Sequence, residues 1–402
     1  MKGDGESLAK QGIKVAIFGA GGAVGSILAT FFQQLESVSQ IVCIDSDLER
    51  TYKYVKGRKK IIHVITNGNR NEKLRWALKN CFLVINAASS KLNRELMAIA
   101  WEIDALYFDF ASFDNLDAEQ EKSHERFMEK NITAWINWGI GPGLTNTLAA
   151  KLINGLDDCV VKIRVAEHTK LKKEKNDKEP LIFLWKPDLV VDEITSPVYV
   201  LNKDSRHTDI VREPFSGPET CIFPYPIGKT TCRYMNENEV ITMKNLQNIL
   251  TIDVKTGGDD IERLFKKLPK ITKMIKRDQI EKYLKNVKTP SPDEIKKMVD
   301  EGTILDGRVA ITVEVDGEDP RTEERILRKA TWMGLGLREV PRGTHVSFNT
   351  AIIAFCAILQ MFKMAKEEKL KPGVFAPEYL SAEGQDAILA CISEKTNPVN
   401  FE

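Results

Sequence analysis

The residues Gly19-Ala20-Gly21-Gly22-Ala23-Val24-Gly25 are the clearest pointer to chemistry in this sequence. They follow a short apolar run, residues 14–18, and precede a stretch with helical spacing of apolar positions. A glycine turn between a strand and a helix lets the backbone approach a diphosphate, whose charge then meets the unpaired N–H groups of the helix start. Position 24 is Val, so the spacing is GxxGxxG rather than GxGxxG. Gly19, Gly22, Ala23, Val24 and Gly25 are the expected phosphate contacts. Asp45 lies 20 positions beyond Gly25, at the end of the second apolar run. An acid there accepts hydrogen bonds from adenosine ribose hydroxyls. It would also repel a 2′-phosphate, which favours NAD over NADP, although Arg50 nearby weakens that preference. Gly228-Lys229-Thr230-Thr231 echoes the end of a P-loop, but position 223 is Phe where that loop needs Gly, and a Pro-rich stretch precedes it. A nucleoside triphosphatase is excluded on those grounds.

The elements that must hold this turn are legible around it. Residues 14–18, 41–44, 61–65, 82–86, 106–110 and 133–137 are short runs of nearly continuous apolar character. Strands buried on both faces of a parallel sheet look like this. Helix-forming segments such as 92–102 and 116–130 alternate with them. The pattern predicts an α/β Rossmann domain with a doubly wound parallel sheet over residues 1–140. Beyond Gly141 the character changes. Residues 160–167 and 309–315 read as strands, the second ending in a turn at Asp316-Gly317. The mixed-charge run 170–178 reads as a solvated loop. Residues 259–285 read as helix broken at Pro269, and Pro292-Asp293-Glu294 opens another. An α+β substrate domain over 141–343 is expected, followed by a helical segment, 344–402, returning to the Rossmann domain. The most apolar stretch, 351–362, is shorter than the roughly 20 residues of a membrane span and is expected to be a buried helix.

At 402 residues, two domains are the natural division. With a net charge of +1, no global field draws nucleic acid or an acidic membrane, so a small molecule is the expected partner. Seven scattered cysteines without a CxxC pair argue against a disulfide framework and a structural zinc site, and point to a reducing, cytoplasmic setting. Residues 1–12 are polar and lack the apolar segment of a signal peptide. His168 and His345 stand alone, without metal-ligand spacing. A homodimer is expected on general grounds.

Further marks then combine with the glycine loop. Val84-Ile85-Asn86-Ala87-Ala88 ends the fourth strand and Asp109 lies in the fifth. Gly141-Pro142-Gly143-Leu144-Thr145-Asn146 is similar to a PG-x-x-N turn joining two domains. Trp185-Lys186-Pro187, Asp192-Glu193, Tyr234 to Met243 and Gly373-Val374-Phe375-Ala376-Pro377-Glu378 complete the set. Taken jointly, the sequence resembles the saccharopine dehydrogenase family, which includes saccharopine reductases, lysine 6-dehydrogenases and carboxynorspermidine synthases. It departs from the family in two places: Ser89-Ser90-Lys91 stands where several members carry Tyr, and Glu237-Asn238 stands where His often precedes Pro-Glu.

The resemblance implies an NAD(P)-dependent dehydrogenase or reductase acting on the C–N bond of an amino acid, a polyamine precursor or the corresponding imine. Asn86, Ala87, Ala88, Pro142 and Asn146 are then added to the expected cofactor contacts. Hydride chemistry belongs to the cofactor, and the protein must handle one proton. Family topology places the ends of strands four and five beside the nicotinamide, making Ser90, Lys91 and Asp109 the catalytic candidates. Lys91 requires burial to act as acid or base. A substrate carboxylate needs a cation and an ammonium needs an acid, roles that Arg233, Glu193 and Glu239 fit, with Trp185 as a candidate substrate wall. A non-catalytic dinucleotide-binding sensor or assembly protein is the alternative, since two family positions are changed.

Overall fold

The computed structural model describes residues 12–55, 60–66, 72–112, 120, 122–172, 181, 182, 184, 187–203, 209–271, 277–285, 287 and 290–402. The chain divides into two units, Met1–Leu144 with Thr350–Cys391 and Thr145–Asn349 with Ile392–Glu402.

The first unit is built on β1 (Ile13–Phe18), β2 (Val38–Asp45), β3 (Ile61–Ile65), β4 (Leu83–Asn86), β5 (Leu106–Asp109) and β6 (Thr133–Trp135). Their spatial order is β3-β2-β1-β4-β5-β6, with the late strand Gly373–Phe375 added beside β6. Every pairing is parallel. β1 shows why its sequence is almost uniformly apolar. Ala16 sits between Val42 and Val84, and all three are fully buried. The order reverses between β1 and β4, the switch point at which open α/β sheets bind ligands beyond their strand ends. The glycine loop leaves β1 at that point and runs into the helix Ala23–Gln34.

The second unit holds a nine-stranded mixed sheet. Its members are β7 (Asp157–Leu171), β8 (Val198–Asn202), β9 (Asp209–Arg212), β10 (Glu219–Ile222), β11 (Lys229–Arg233), β12 (Ile249–Gly257), β13 (Ile304–Glu318), β14 (Arg325–Met333) and the short Asn400–Phe401. The main path is β10-β11-β12-β7-β13-β14 followed by Asn400–Phe401, and β8 pairs with β12 and β9. β7 and β12 run parallel, whereas β13 pairs antiparallel with both β7 and β14.

Several boundaries differ from the sequence reading. β7 and β13 each extend for 15 residues, well past the predicted runs. Exposed residues such as Asp157, Asp158 and Lys170 hide the ends of β7, because part of one face meets solvent. No turn occurs at Asp316-Gly317; β13 continues to Glu318 through an irregular register. Gly317 is needed there because a Cβ would meet Cys159 Sγ at 2.8 Å and Leu156 at 2.9 Å. The helix Asp259–Ile271 continues through Pro269 rather than breaking there.

The helix His345–Lys366 is long and apolar enough to cross a membrane by length and composition, yet 78% of its most apolar window is buried in the protein. The tail departs from the expected return to the Rossmann domain: Ile392–Glu402 groups with the second unit because Asn400–Phe401 pairs with β14.

Candidate functional site

The glycine loop is shaped by close approach. Gly19 has φ +76°, and a Cβ there would lie 2.5 Å from the Ala87 carbonyl oxygen. A Cβ on Gly25 would lie 2.3 Å from the Gly19 carbonyl oxygen, so the helix start is pressed directly on the loop. Gly22 N–H donates to the Gly19 carbonyl at 2.9 Å. Gly22 also caps the helix Ala23–Gln34 with no side-chain hydrogen bond and no acid in the first turn. The positive end of that helix, with Ala23, Val24 and Gly25, is therefore not neutralised from within.

Asp45 completes the cradle. One carboxylate oxygen, Oδ2, accepts from Gly21 N–H at 2.8 Å, and Oδ1 accepts from Asp47 N–H at 3.0 Å. The acid thus faces the loop, as the sequence spacing requires. On the other side, Asn86 shapes the turn after β4. Its Oδ1 accepts from Ala88 N–H at 3.0 Å, and its amide donates to the Ser89 carbonyl at 3.0 Å and to Asn93 Oδ1 at 2.6 Å. Asn86, Ala87 and Ala88 accordingly border Gly19. A backbone without Cβ atoms, an unneutralised helix start and an acid at the end of β2 form a donor and acceptor set that fits a dinucleotide.

The expected catalytic residues of this unit behave differently from one another. Ser90 opens a single 3₁₀ turn, Ser90–Leu92, in which the Ser89 hydroxyl accepts from Lys91 N–H at 3.4 Å. Lys91 is exposed. The burial that its assignment as acid or base required is not supplied by this unit. Asp109 is fully buried. Its Oδ1 accepts from Asn137 N–H at 2.8 Å and its Oδ2 from the Gln120 amide at 2.6 Å. Burial pushes its carboxyl up to about 6 against these hydrogen bonds. Gln120 in turn accepts from Asn93, so Asp109 anchors a polar network that reaches Asn86. Pro142 is buried, with its carbonyl accepting from Gly139 N–H at 2.7 Å. Asn146 is buried in the second unit, where its Oδ1 accepts from the Thr145 hydroxyl at 3.3 Å.

The second unit carries a group of acids. Glu239 begins the short helix Glu239–Met243 and has no exposed surface. Its Oε1 accepts from the Thr145 hydroxyl at 2.9 Å. Its Oε2 is buried without a hydrogen-bond partner among the described residues. Glu237 Oε1 accepts from the Thr256 hydroxyl at 2.7 Å. Burial raises Glu237 well above the usual carboxylate range, and the charges of Glu239 and then Glu167 add to this. Glu239 is raised by burial against its hydrogen bonds. Glu167, on β7, is pushed up to about 8 by burial and then by Asp260. Asp260, by contrast, pairs with Arg263 and accepts from the Thr169 hydroxyl at 2.7 Å. The charges acting on Glu167 and Glu237 are those of other carboxylates, which favour the neutral form of each.

These desolvated acids tie stability to pH. A carboxyl raised from 4.5 to about 8 in the folded state favours folding fully below pH 4.5, and the contribution is lost as pH climbs through 8. Thermal melts across that window are expected to show the native protein losing stability relative to Glu167→Gln as pH rises. Parallel melting curves for the two proteins would refute it.

Of the remaining expected residues, Arg233 is already engaged. Its Nε donates to Glu262 at 3.1 Å and its guanidinium lies 3.9 Å from the centroid of the Phe265 ring. Its Nε is therefore committed to an internal pairing, while the remaining N–H groups of the fork are not used by Glu262. Glu193 is half-buried on the helix Pro187–Thr195. Trp185, like most of the run 170–178, lies outside the described residues. His168 contacts Asp259 at 3.3 Å and Thr230 at 3.2 Å. Among the described residues, no group of three or more His, Cys, Asp and Glu side chains could hold a metal ion.

Sequence reasoning missed Glu167 and Glu237 as site residues. A signal existed for the first: Val161, Ile163 and Val165 are buried on β7, and Glu167 continues their alternation.

Residues 15–135 match the family model described as the saccharopine dehydrogenase NADP binding domain. No curated protein matches the sequence. Among solved structures, the fold is similar to saccharopine dehydrogenase (L-Glu forming) from Saccharomyces cerevisiae, with TM-score 0.66 and 13% identity over 97% of this chain and 100% of that one. It is also similar to the homospermidine synthase of Legionella pneumophila solved in complex with NAD, with TM-score 0.61 and 15% identity over 98% of this chain and 91% of that one. Residues 15–135, with the glycine cradle and Asp45, thus form an NAD(P)-binding Rossmann domain that matches the saccharopine dehydrogenase type, and the whole chain shares its fold with saccharopine dehydrogenase.

Proposed function

We propose that this protein oxidises the C–N bond of a cationic amine, or reduces the corresponding imine, with NAD(P) as hydride carrier. The observation that carries this reading is Glu239 Oε2, a carboxylate oxygen buried without a partner among the described residues and close enough to Glu237 for its charge to raise that acid. Such an oxygen is costly to leave unpaired, and an ammonium group offsets that cost. When bound, the nicotinamide takes or gives the hydride. The helix start at Gly22 holds the diphosphate, and Asp45 orients the adenosine ribose. Because Asp45 and Asp47 place negative charge at the end of β2, NAD is the preferred carrier. As an ammonium becomes an imine it must lose a proton, and a carboxylate raised toward neutrality is matched to that task. Glu237 and Glu239 are assigned to binding the cation and taking that proton. An amino acid or polyamine precursor supplies the required amine.

The test follows the absorbance of reduced nicotinamide with lysine, saccharopine and short polyamines. Amine-dependent turnover is expected, faster with NAD than with NADP. Firm dinucleotide binding without turnover on any amine overturns the proposal and leaves a sensor.

A further inference from the structure

Cys221 and Cys232 lie on neighbouring strands, β10 and β11, of the second unit. The antiparallel register pairs Cys221 with Thr230 and Glu219 with Cys232. The two cysteines are thus diagonal neighbours, and positions two apart along a strand point to one face. Ile222 points to the other face and is 64% exposed, whereas Cys221 and Cys232 are 8% and 0% exposed. Both belong to one buried cluster with Ala166, Phe223 and Ala310. The Cys221 thiol also lies 3.8 Å from the Glu219 carbonyl oxygen.

Arg164 adds a cation. Its Nη1 donates to Asp253 at 3.1 Å and its Nη2 to Glu219 at 2.8 Å, and its Nε is buried without a hydrogen-bond partner among the described residues. The positive charge of the guanidinium favours the thiolate form of Cys221. Burial pushes Cys43 and Cys81 up to about 12 and Cys159 up to about 11. Cys221 goes the other way, lowered first by the Cys232 thiol and further by Arg164, against its burial. Cys232 is raised by Cys221 and by burial. One sulfur is therefore disposed to be the thiolate, and the other to remain the thiol.

We propose that Cys221 and Cys232 form a peroxide-responsive dithiol, with Cys221 as the attacking sulfur and Cys232 as the resolving one. The Cys221 thiolate attacks one oxygen of a hydroperoxide. The O–O bond breaks, giving a sulfenic acid on Cys221 and releasing hydroxide or an alcohol. Cys232 then loses its proton and attacks the Cys221 sulfur. The S–O bond breaks, the S–S bond forms, and water leaves. Two thiols are oxidised by two electrons, and the hydroperoxide is reduced by the same two. Among the described strands β10 stands at the edge of the sheet, and Cys221 keeps 8% of its surface exposed.

The intact protein, treated with hydrogen peroxide and alkylated while unfolded, is digested and read by mass spectrometry. A Cys221–Cys232 linked peptide lighter by two hydrogens than the reduced pair is expected, with loss of alkylation at both positions. In Cys232→Ala, the Cys221 sulfenic acid is expected to persist and to be trapped by dimedone. Full alkylation of Cys221 and Cys232 after peroxide, or oxidation confined to the less buried Cys391, overturns the proposal. Native protein alone decides this, so the result does not depend on the variant folding.

Discussion

Replacing Gly19 with alanine is expected to weaken dinucleotide binding by about 100-fold. Two effects add. A non-glycine residue in the left-handed region costs about 1–2 kcal/mol. The new Cβ would also lie 2.5 Å from the Ala87 carbonyl oxygen, and that atom is backbone, so the loop must move rather than a side chain. Movement of the loop pulls its N–H groups away from the diphosphate. Hydrogen bonds to a charged group contribute about 1.5–3 kcal/mol each, and losing one of the stronger accounts for about two powers of ten. Gly155 provides the control. It has φ +73°, but a Cβ there would meet nothing within 4 Å, so Gly155→Ala bears the backbone cost without the collision. Both variants are expected to melt earlier than the native protein. Only Gly19→Ala is expected to lose affinity in a titration of protein fluorescence with NADH. Affinity within a few-fold of native for Gly19→Ala would remove the glycine loop from the binding site.

Much of the first unit could be read from sequence because its determinants are local. β1 and β4 are apolar on both faces, which announces a covered parallel sheet. The glycine loop directly follows β1, and Asp45 ends β2, so strand order alone brings the acid to Gly21. Asp109 was visible as an acid in an apolar run, but its partners were not. Gln120 and the Asn137 N–H reach it only once β5 and β6 are side by side.

The second unit was harder because its chemistry depends on pairings that sequence does not encode locally. The pairing of Arg233 with Glu262 and the Phe265 ring, for instance, arises only when the helix Asp259–Ile271 lies beside β11. Glu239 was recognisable as an acid, yet its distinction comes from what lies around it. Thr145 satisfies one oxygen, Glu237 and Glu167 crowd the same region, and no described residue satisfies the other oxygen. Glu167 sits within β7, well before its end at Leu171, on a strand whose exposed residues obscured its length. Spacing could name the residue types here, but only burial and neighbouring charge could rank them.

Glu239→Gln is expected to raise the KM for the amine by about 10- to 100-fold while leaving the melting temperature nearly unchanged. The glutamine amide keeps the shape of the carboxyl, and its carbonyl still accepts from the Thr145 hydroxyl that now bonds Oε1 at 2.9 Å. What it lacks is negative charge. An ammonium set against a buried carboxylate gains about 1.5–3 kcal/mol over a neutral partner, which is the expected change in affinity. Because burial holds Glu239 above the ordinary carboxylate range, native binding of the amine is expected to tighten as pH rises and the acid ionises. The variant should bind with a flatter pH profile, and its affinity for NADH should be native. Glu239→Ala is a weaker probe, since it also leaves a cavity and strands the Thr145 hydroxyl. If KM and its pH dependence are the same in Glu239→Gln and the native protein, the amine is not held by this acid, whatever the dinucleotide does on the first unit.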